Sequence, residues 1–198
     1  MSDLDDQLAI AALVQRWALA RDAGDWDRLR ATAHPGAQMT TTWFDGRFDD
    51  FVESCRASWA RGSRSQHFLG GTIADIRGER AIAQTRMSIN VRSRLDGVEV
   101  DAVCLGRFFD RVEKRSGAWR LVKRSVIYEK DRIDTVDPQA RISLDPELLG
   151  RFPDGYRHLA YIQTRNGATV NPDLPTAAGA ALEALVEGAK AWLVQGEA

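Results

Sequence analysis

The chain has 198 residues, 44% hydrophobic and 28% charged, with 27 basic against 28 acidic side chains and a formal net charge of −1. That length suits one domain, or one domain with a terminal extension, and the composition is that of a chain able to bury a core. The near-neutral, interspersed charge lacks the footprint of a nucleic-acid or membrane-surface binder, so neither partner is expected.

The N-terminus, Met1-Ser2-Asp3-Leu4-Asp5-Asp6, is acidic and has no apolar core of a secretory signal. No apolar run reaches the ~20 residues that a membrane span needs. Cys55 and Cys104 lack Cys-x-x-Cys spacing and read as reduced, buried thiols. The expected location is the cytoplasm.

Ser2 reads as a cap for a first helix, along which Ile10, Leu13, Val14, Trp17 and Ala18 recur at helical spacing. Gly24 suits its C-terminal stop, and Asp25 offers a new N-cap for a short helix over Trp26–Ala33 that His34-Pro35-Gly36 breaks. A short segment around Met39 to Phe44 and a turn at Asp45-Gly46 lead to a third helix ending near Ala60, burying Phe51, Cys55 and Trp59.

Beyond Gly62-Ser63 the period falls to two. Strands are expected over Phe68–Ile76, Ala81–Leu95, Val98–Val112 and Trp119–Tyr128, with Asp96-Gly97 as the strongest hairpin signal. Helices followed by an antiparallel meander indicate an α+β fold. A long twisted sheet curling around the first helix leaves a concave pocket.

From about Asp137 the chain turns loop-rich, punctuated by Asp-Pro, Asn-Gly and Asn-Pro pairs, before a final helix over Ala177–Leu193. The division expected is therefore a domain over 1–136 and an extension over 137–198. Leu148, Leu149, Tyr156, Leu159 and Tyr161 make the extension too apolar for a disordered linker. It is expected to pack on the sheet or on a neighbouring subunit of a homodimer or homotrimer.

No dinucleotide, phosphate-loop, nucleophile-elbow or zinc-helix motif occurs, and His34, His67 and His158 are too scattered for metal-ligand spacing. Neither a metal nor a cofactor is expected. The pair that stands out is Asp22 and His67. Asp22 faces the negative end of a helix dipole, which does not favour it there. His67 stands where the chain enters the first long strand. A carboxylate-held histidine is an oriented general base near neutral pH. The plainer alternative is a solvated aspartate and a capped histidine, and spacing alone leaves both open.

Three stretches extend the reading: Trp17-x-x-x-x-Asp22-x-x-Asp25-Trp26-x-x-Leu29, then Gln66-His67-Phe68-Leu69-Gly70, then Gly117-Ala118-Trp119-Arg120-Leu121. In order and spacing, from about Asp5 to Tyr128, they resemble the SnoaL-like family of the nuclear transport factor 2-like superfamily. That superfamily includes scytalone dehydratase and hexachlorocyclohexane dehydrochlorinase. The resemblance implies a cystatin-like, cone-shaped half-barrel, with a strongly bent antiparallel sheet wrapped around N-terminal helices. It also implies that His67 abstracts a substrate proton while Asp22 orients it. Arg124 resembles a basic last-strand residue that assists the leaving group in the dehydrochlorinase. The dehydratase's second catalytic histidine has no counterpart between Val98 and Phe109. Trp43, Phe108 and Tyr128 are candidate lining for a small hydrophobic or cyclic ligand.

Two functions compete on this reading. One is a cofactor-free lyase, dehydratase or isomerase. The other is a non-catalytic small-molecule binding module or assembly partner of the same fold.

Overall fold

The computed structural model describes residues 3–195, so the reading of Ser2 as a helix cap lies outside the described residues. Helix α1 (Asp3–Ala23) buries Ile10, Leu13, Val14, Trp17 and Ala18, the stripe expected from their spacing. Gly24 follows at φ +71°, and Asp25 accepts a hydrogen bond from the Arg28 amide to cap α2 (Trp26–Arg30). Strands β1 (Ala33–Thr40) and β2 (Asp45–Arg47) precede α3 (Phe48–Ala60). Four long strands come next: β3 (Ser65–Arg77), β4 (Arg80–Leu95), β5 (Val98–Arg115) and β6 (Ala118–Thr135). The tail carries α4 (Pro146–Leu149), α5 (Arg157–Arg165) and α6 (Ala180–Val194).

The six strands form one curved, unclosed sheet in the order β2-β1-β6-β5-β4-β3. From β3 to β6 every neighbour is antiparallel, as the meander predicted. The concave face packs on α1 and α3 through one continuous core, in which Trp17, Phe51, Phe108, Leu121 and Tyr128 take part. Burying such large apolar side chains is worth about 1.5–3 kcal/mol each.

The outer strand β3 would leave backbone groups unpaired, and α1 takes them up at two points. Gln7 exchanges hydrogen bonds with both backbone groups of Ala74, and Asp22 accepts one from the His67 amide. Fifteen helical residues rise about 22 Å. The seven strand residues they span cover about 23 Å. The helix and the strand edge are therefore matched in length, and Gln7 and Asp22 can each reach their partner.

Four expectations are corrected. Residues 33–40 are a strand, not a helix end and a loop: Pro35 and Gly36 (φ +82°) sit in a register break between Ala33 and Gln38, where β1 pairs parallel with β6. Trp59 is only half-buried, its ring lying edge-on to Trp26 and under the Arg64 guanidinium. Strand β6 continues seven residues past Tyr128, because Val100 to Leu105 of β5 pair with this polar stretch that has no apolar alternation to announce it. Helix α5 lay hidden in the loop-rich tail. Only nine residues long (Arg157–Arg165), it falls between the turn signals Phe152-Pro153-Asp154-Gly155 and Asn166-Gly167, and its buried run Leu159–Ile162 is too short to stand out from them.

The tail joins the same body. Tyr156, Leu159, Ala160 and Leu174 belong to the main core, while α6 covers Ile82, Phe109 and Ile127 on the convex face. Asp131 accepts hydrogen bonds from the Leu159 amide (2.7 Å) and contacts His158 Nδ1 (2.8 Å), satisfying a first-turn amide of α5 that no cap residue serves.

Strand β6 bulges opposite Gly106 of β5: Leu105 pairs with Lys130 but Gly106 with Tyr128, leaving Glu129 extra. A Cβ at Gly106 would meet the Ile127 carbonyl oxygen at 2.1 Å. Gly106→Ala is therefore expected to cost about 1–3 kcal/mol through forced backbone shifts, read as a lowered midpoint in urea unfolding.

Candidate functional site

Asp22 stands in the last turn of α1 and His67 is the third residue of β3. One carboxylate oxygen lies 2.6 Å from His67 Nδ1, and the other accepts the His67 backbone N–H at 2.6 Å. The two bonds fix the ring by its own backbone. With Nδ1–H donated to Asp22, Nε2 is left as the proton-accepting nitrogen. The His67 side chain is 8% exposed and that of Asp22 19%.

Burial pushes His67 below the ordinary histidine value, Asp22 pulls it back up, and the charges of Arg21 and Arg124 push it down again. The imidazole is thereby held neutral at pH 7, the state a base requires.

His67 stands in the wall of a cavity of about 910 Å³. Binding sites for small molecules run to about 300–1,000 Å³. Trp17, Met39, Phe51, Phe108 and Val126 give it an apolar interior, and Leu159, Ile162 and Gln163 of α5 form another part of the wall. The Trp17 ring meets His67 edge-on at 5.4 Å and Phe108 at 5.3 Å. Tyr128 lines the cavity with a hydroxyl that accepts the Thr42 amide at 3.1 Å and is also hydrogen-bonded to the Thr42 side chain. Burial raises the Tyr128 pKa far above its ordinary value, so the donor is present at any physiological pH. Thr41 Oγ1, Ser65 Oγ and Gln163 Oε1, all on lining residues, are buried without a hydrogen-bond partner.

The sequence candidates divide accordingly. Trp43, Phe108, Tyr128 and His67 line the cavity together, and Asp22 supports His67 without lining it. Arg124 does not line it, which corrects its assignment as a ligand contact. Its guanidinium is fully buried, 4.2 Å over the Trp17 ring and 4.0 Å over that of Phe108, and it makes a bidentate pair with Asp110 at 2.7 and 2.6 Å. The pair lies behind two aromatic rings of the wall, and Arg124 Nη1 has no partner. Thr41, Ser65 and the α5 residues escaped the sequence reading, since nothing local says that the tail closes over the sheet. Among the described residues, no three His, Cys, Asp or Glu side chains converge on a metal-holding group.

Residues 2–125 match the SnoaL-like domain. The chain belongs to the SnoaL-like family. It is 34% identical over 177 residues to pea pathogenicity protein 2 of Fusarium vanettenii, covering 86% of this chain and 75% of that one. It is 31% identical over 207 residues to an uncharacterized protein of Emericella nidulans, covering 95% and 86%. Among solved structures, a provisionally assigned scytalone dehydratase from Novosphingobium aromaticivorans superposes with a TM-score of 0.56 at 16% identity, over 71% of this chain and 97% of that one. A protein of unknown function from Mycobacterium tuberculosis, solved as a point variant, gives a TM-score of 0.56 at 18% identity over 84% and 99%. At such identities these structures establish the shared fold alone. No helix among the described residues of this SnoaL-like chain is long and apolar enough to cross a membrane.

The site's electrostatics bear on stability in two ways. Removing one partner of a buried, bidentate ion pair strands the other charge, so Asp110→Ala should cost about 3–5 kcal/mol in denaturant unfolding. His67 and His34 both titrate below the ordinary value of 6.5, chiefly through burial, so the unfolded chain binds more protons than the folded one as pH falls through that value. Stability should therefore decline below about pH 6.5, and His67→Gln should flatten part of the decline in melts recorded across pH.

Proposed function

We propose that this SnoaL-like protein is a cofactor-free lyase or isomerase that removes a proton from carbon in a small, cyclic, largely hydrophobic molecule. One observation carries the reading: a histidine held at Nδ1 by a carboxylate stands in the wall of a ligand-sized cavity.

His67 Nε2 takes a proton from the carbon beside a carbonyl, and the electron pair of that C–H bond moves into the carbonyl as an enolate. Asp22 stabilises the imidazolium that forms. The O–H of Tyr128 turns from Thr42 to meet the enolate oxygen as its donor. Collapse of the enolate then expels a β-leaving group, which His67 protonates, or the proton returns at a different carbon. The first outcome is a lyase and the second an isomerase. The dehydratase assignment given to one neighbour in fold agrees with the first.

The test separates catalysis from a structural role. His67→Ala should lower turnover on a panel of activated C–H substrates by about 10²–10⁴-fold. Asp22→Asn presents only one acceptor to two N–H donors, so the ring is expected to take its Nε2–H tautomer and turnover to fall without a matching loss of stability. Tyr128→Phe should cost about 10²-fold in kcat. Combining the His67 and Asp22 changes should be little worse than either alone. Equal activity per folded molecule in wild type and His67→Ala, with thermal melts run alongside, would sink the reading in favour of a binding module.

A further inference from the structure

The cavity's charge lining is one-sided. Four arginines line it, Arg21, Arg61, Arg64 and Arg92, and none of the lining residues is Asp or Glu. The whole chain carries one more acid than base, so composition does not account for this. Arg92 is neutralised by a bidentate pair with Asp101 at 2.8 Å to each oxygen. The other three make no ion pair among the described residues. Arg21 stands on α1 one residue before Asp22, and Arg61 and Arg64 stand in the loop between α3 and β3. Arg61 and Arg64 are exposed and yet line the cavity, which puts them at its rim.

The rim cations are also held in place. Arg64 stacks on the Trp59 ring at 3.7 Å and donates from Nη1 to the Trp59 and Ser63 carbonyls, leaving Nε and Nη2 without a hydrogen bond among the described residues. Arg61 donates from Nη2 to Ser58 Oγ at 3.1 Å. A guanidinium fixed in this way loses little freedom when it binds an anion, and its planar fork matches a carboxylate or a phosphoryl group.

We propose that the ligand is an amphipathic acid. Its cyclic apolar body fills the interior beside Phe108 and Val126, and its single anionic group is held at the rim by Arg61 and Arg64. The inference rests on the cavity being the ligand site of the proposed function but not on turnover. It also bears on the chemistry. Forming an enolate on a molecule that is already an anion adds a second negative charge, and three unpaired guanidiniums lower the cost of doing so. A cavity edged with carboxylates would raise it.

Trp17 and Trp43 line the cavity and serve as fluorescence reporters. The probes are naphthoate and its neutral isostere naphthamide, titrated into the wild-type chain at low salt. Naphthoate should quench saturably and bind about tenfold more tightly than naphthamide, the worth of one charge-assisted hydrogen bond. About 0.5 M NaCl should close most of that gap, since the contacts sit at an exposed rim. Arg61→Gln with Arg64→Gln should weaken naphthoate about tenfold and leave naphthamide unchanged. Naphthyl phosphate binding more tightly than naphthoate would assign the same arginines to a phosphoryl group. Both titrations are read on the wild-type chain without turnover, so anion binding and proton abstraction are separated. Naphthamide binding as tightly as naphthoate, the double variant weakening both alike, or no saturable quenching by either probe would overturn the proposal.

Discussion

The outer edge of β3 and the carboxylate of Asp22 meet in a contact that the rest of the site depends on. The strand needs something to pair its free amides, and α1 supplies side chains four turns apart that do so, Gln7 at Ala74 and Asp22 at His67. That requirement sets the register of helix against sheet. Once it is set, Trp17 reaches Phe51 of α3, His67 of β3, Phe108 of β5 and Arg124 of β6. The second oxygen of the same carboxylate then fixes the ring of His67. Fold and chemistry share one side chain, so an aspartate persists at a helix end where the dipole disfavours it.

Much of the architecture could be read from the periods of the chain. The stripe on α1, the cap at Asp25 and the alternation from β3 to β5 are local signals, and each corresponds to an element that forms. The reading failed where a long-range partner overrides local chemistry. Pro35 and Gly36 are turn residues by habit, yet β6 accommodates them in a break of register. The polar half of β6 is a strand because β5 lies beside it, and the nine-residue α5 is masked by the turn residues on either side of it.

For the site, the sequence pointed to the Asp22–His67 pair through a residue in an unfavourable place, and to Trp43, Phe108 and Tyr128 as aromatic lining. It misjudged Arg124, because the partner that holds this arginine away from the cavity lies across the β5–β6 ladder. Asp110 pairs with it in register, and no spacing within β6 reveals that. The buried pair instead stiffens the wall against which Trp17 and Phe108 rest. Its charge still reaches His67, pushing the imidazole in the same direction as burial does.

The cavity is assembled from two stretches of chain. Trp17, His67 and Phe108 fall within the matched domain, whereas Tyr128, Leu159, Ile162 and Gln163 fall beyond residue 125. Asp131 fastens the second group through α5, by a clamp on a backbone amide and a histidine Nδ1 that repeats the form of the first. A change in the volume or polarity of α5 therefore reshapes the far wall while leaving the hydrogen bonds of Asp22 untouched. Such a division lets selection retune which molecule is admitted without rebuilding the group that would act on it.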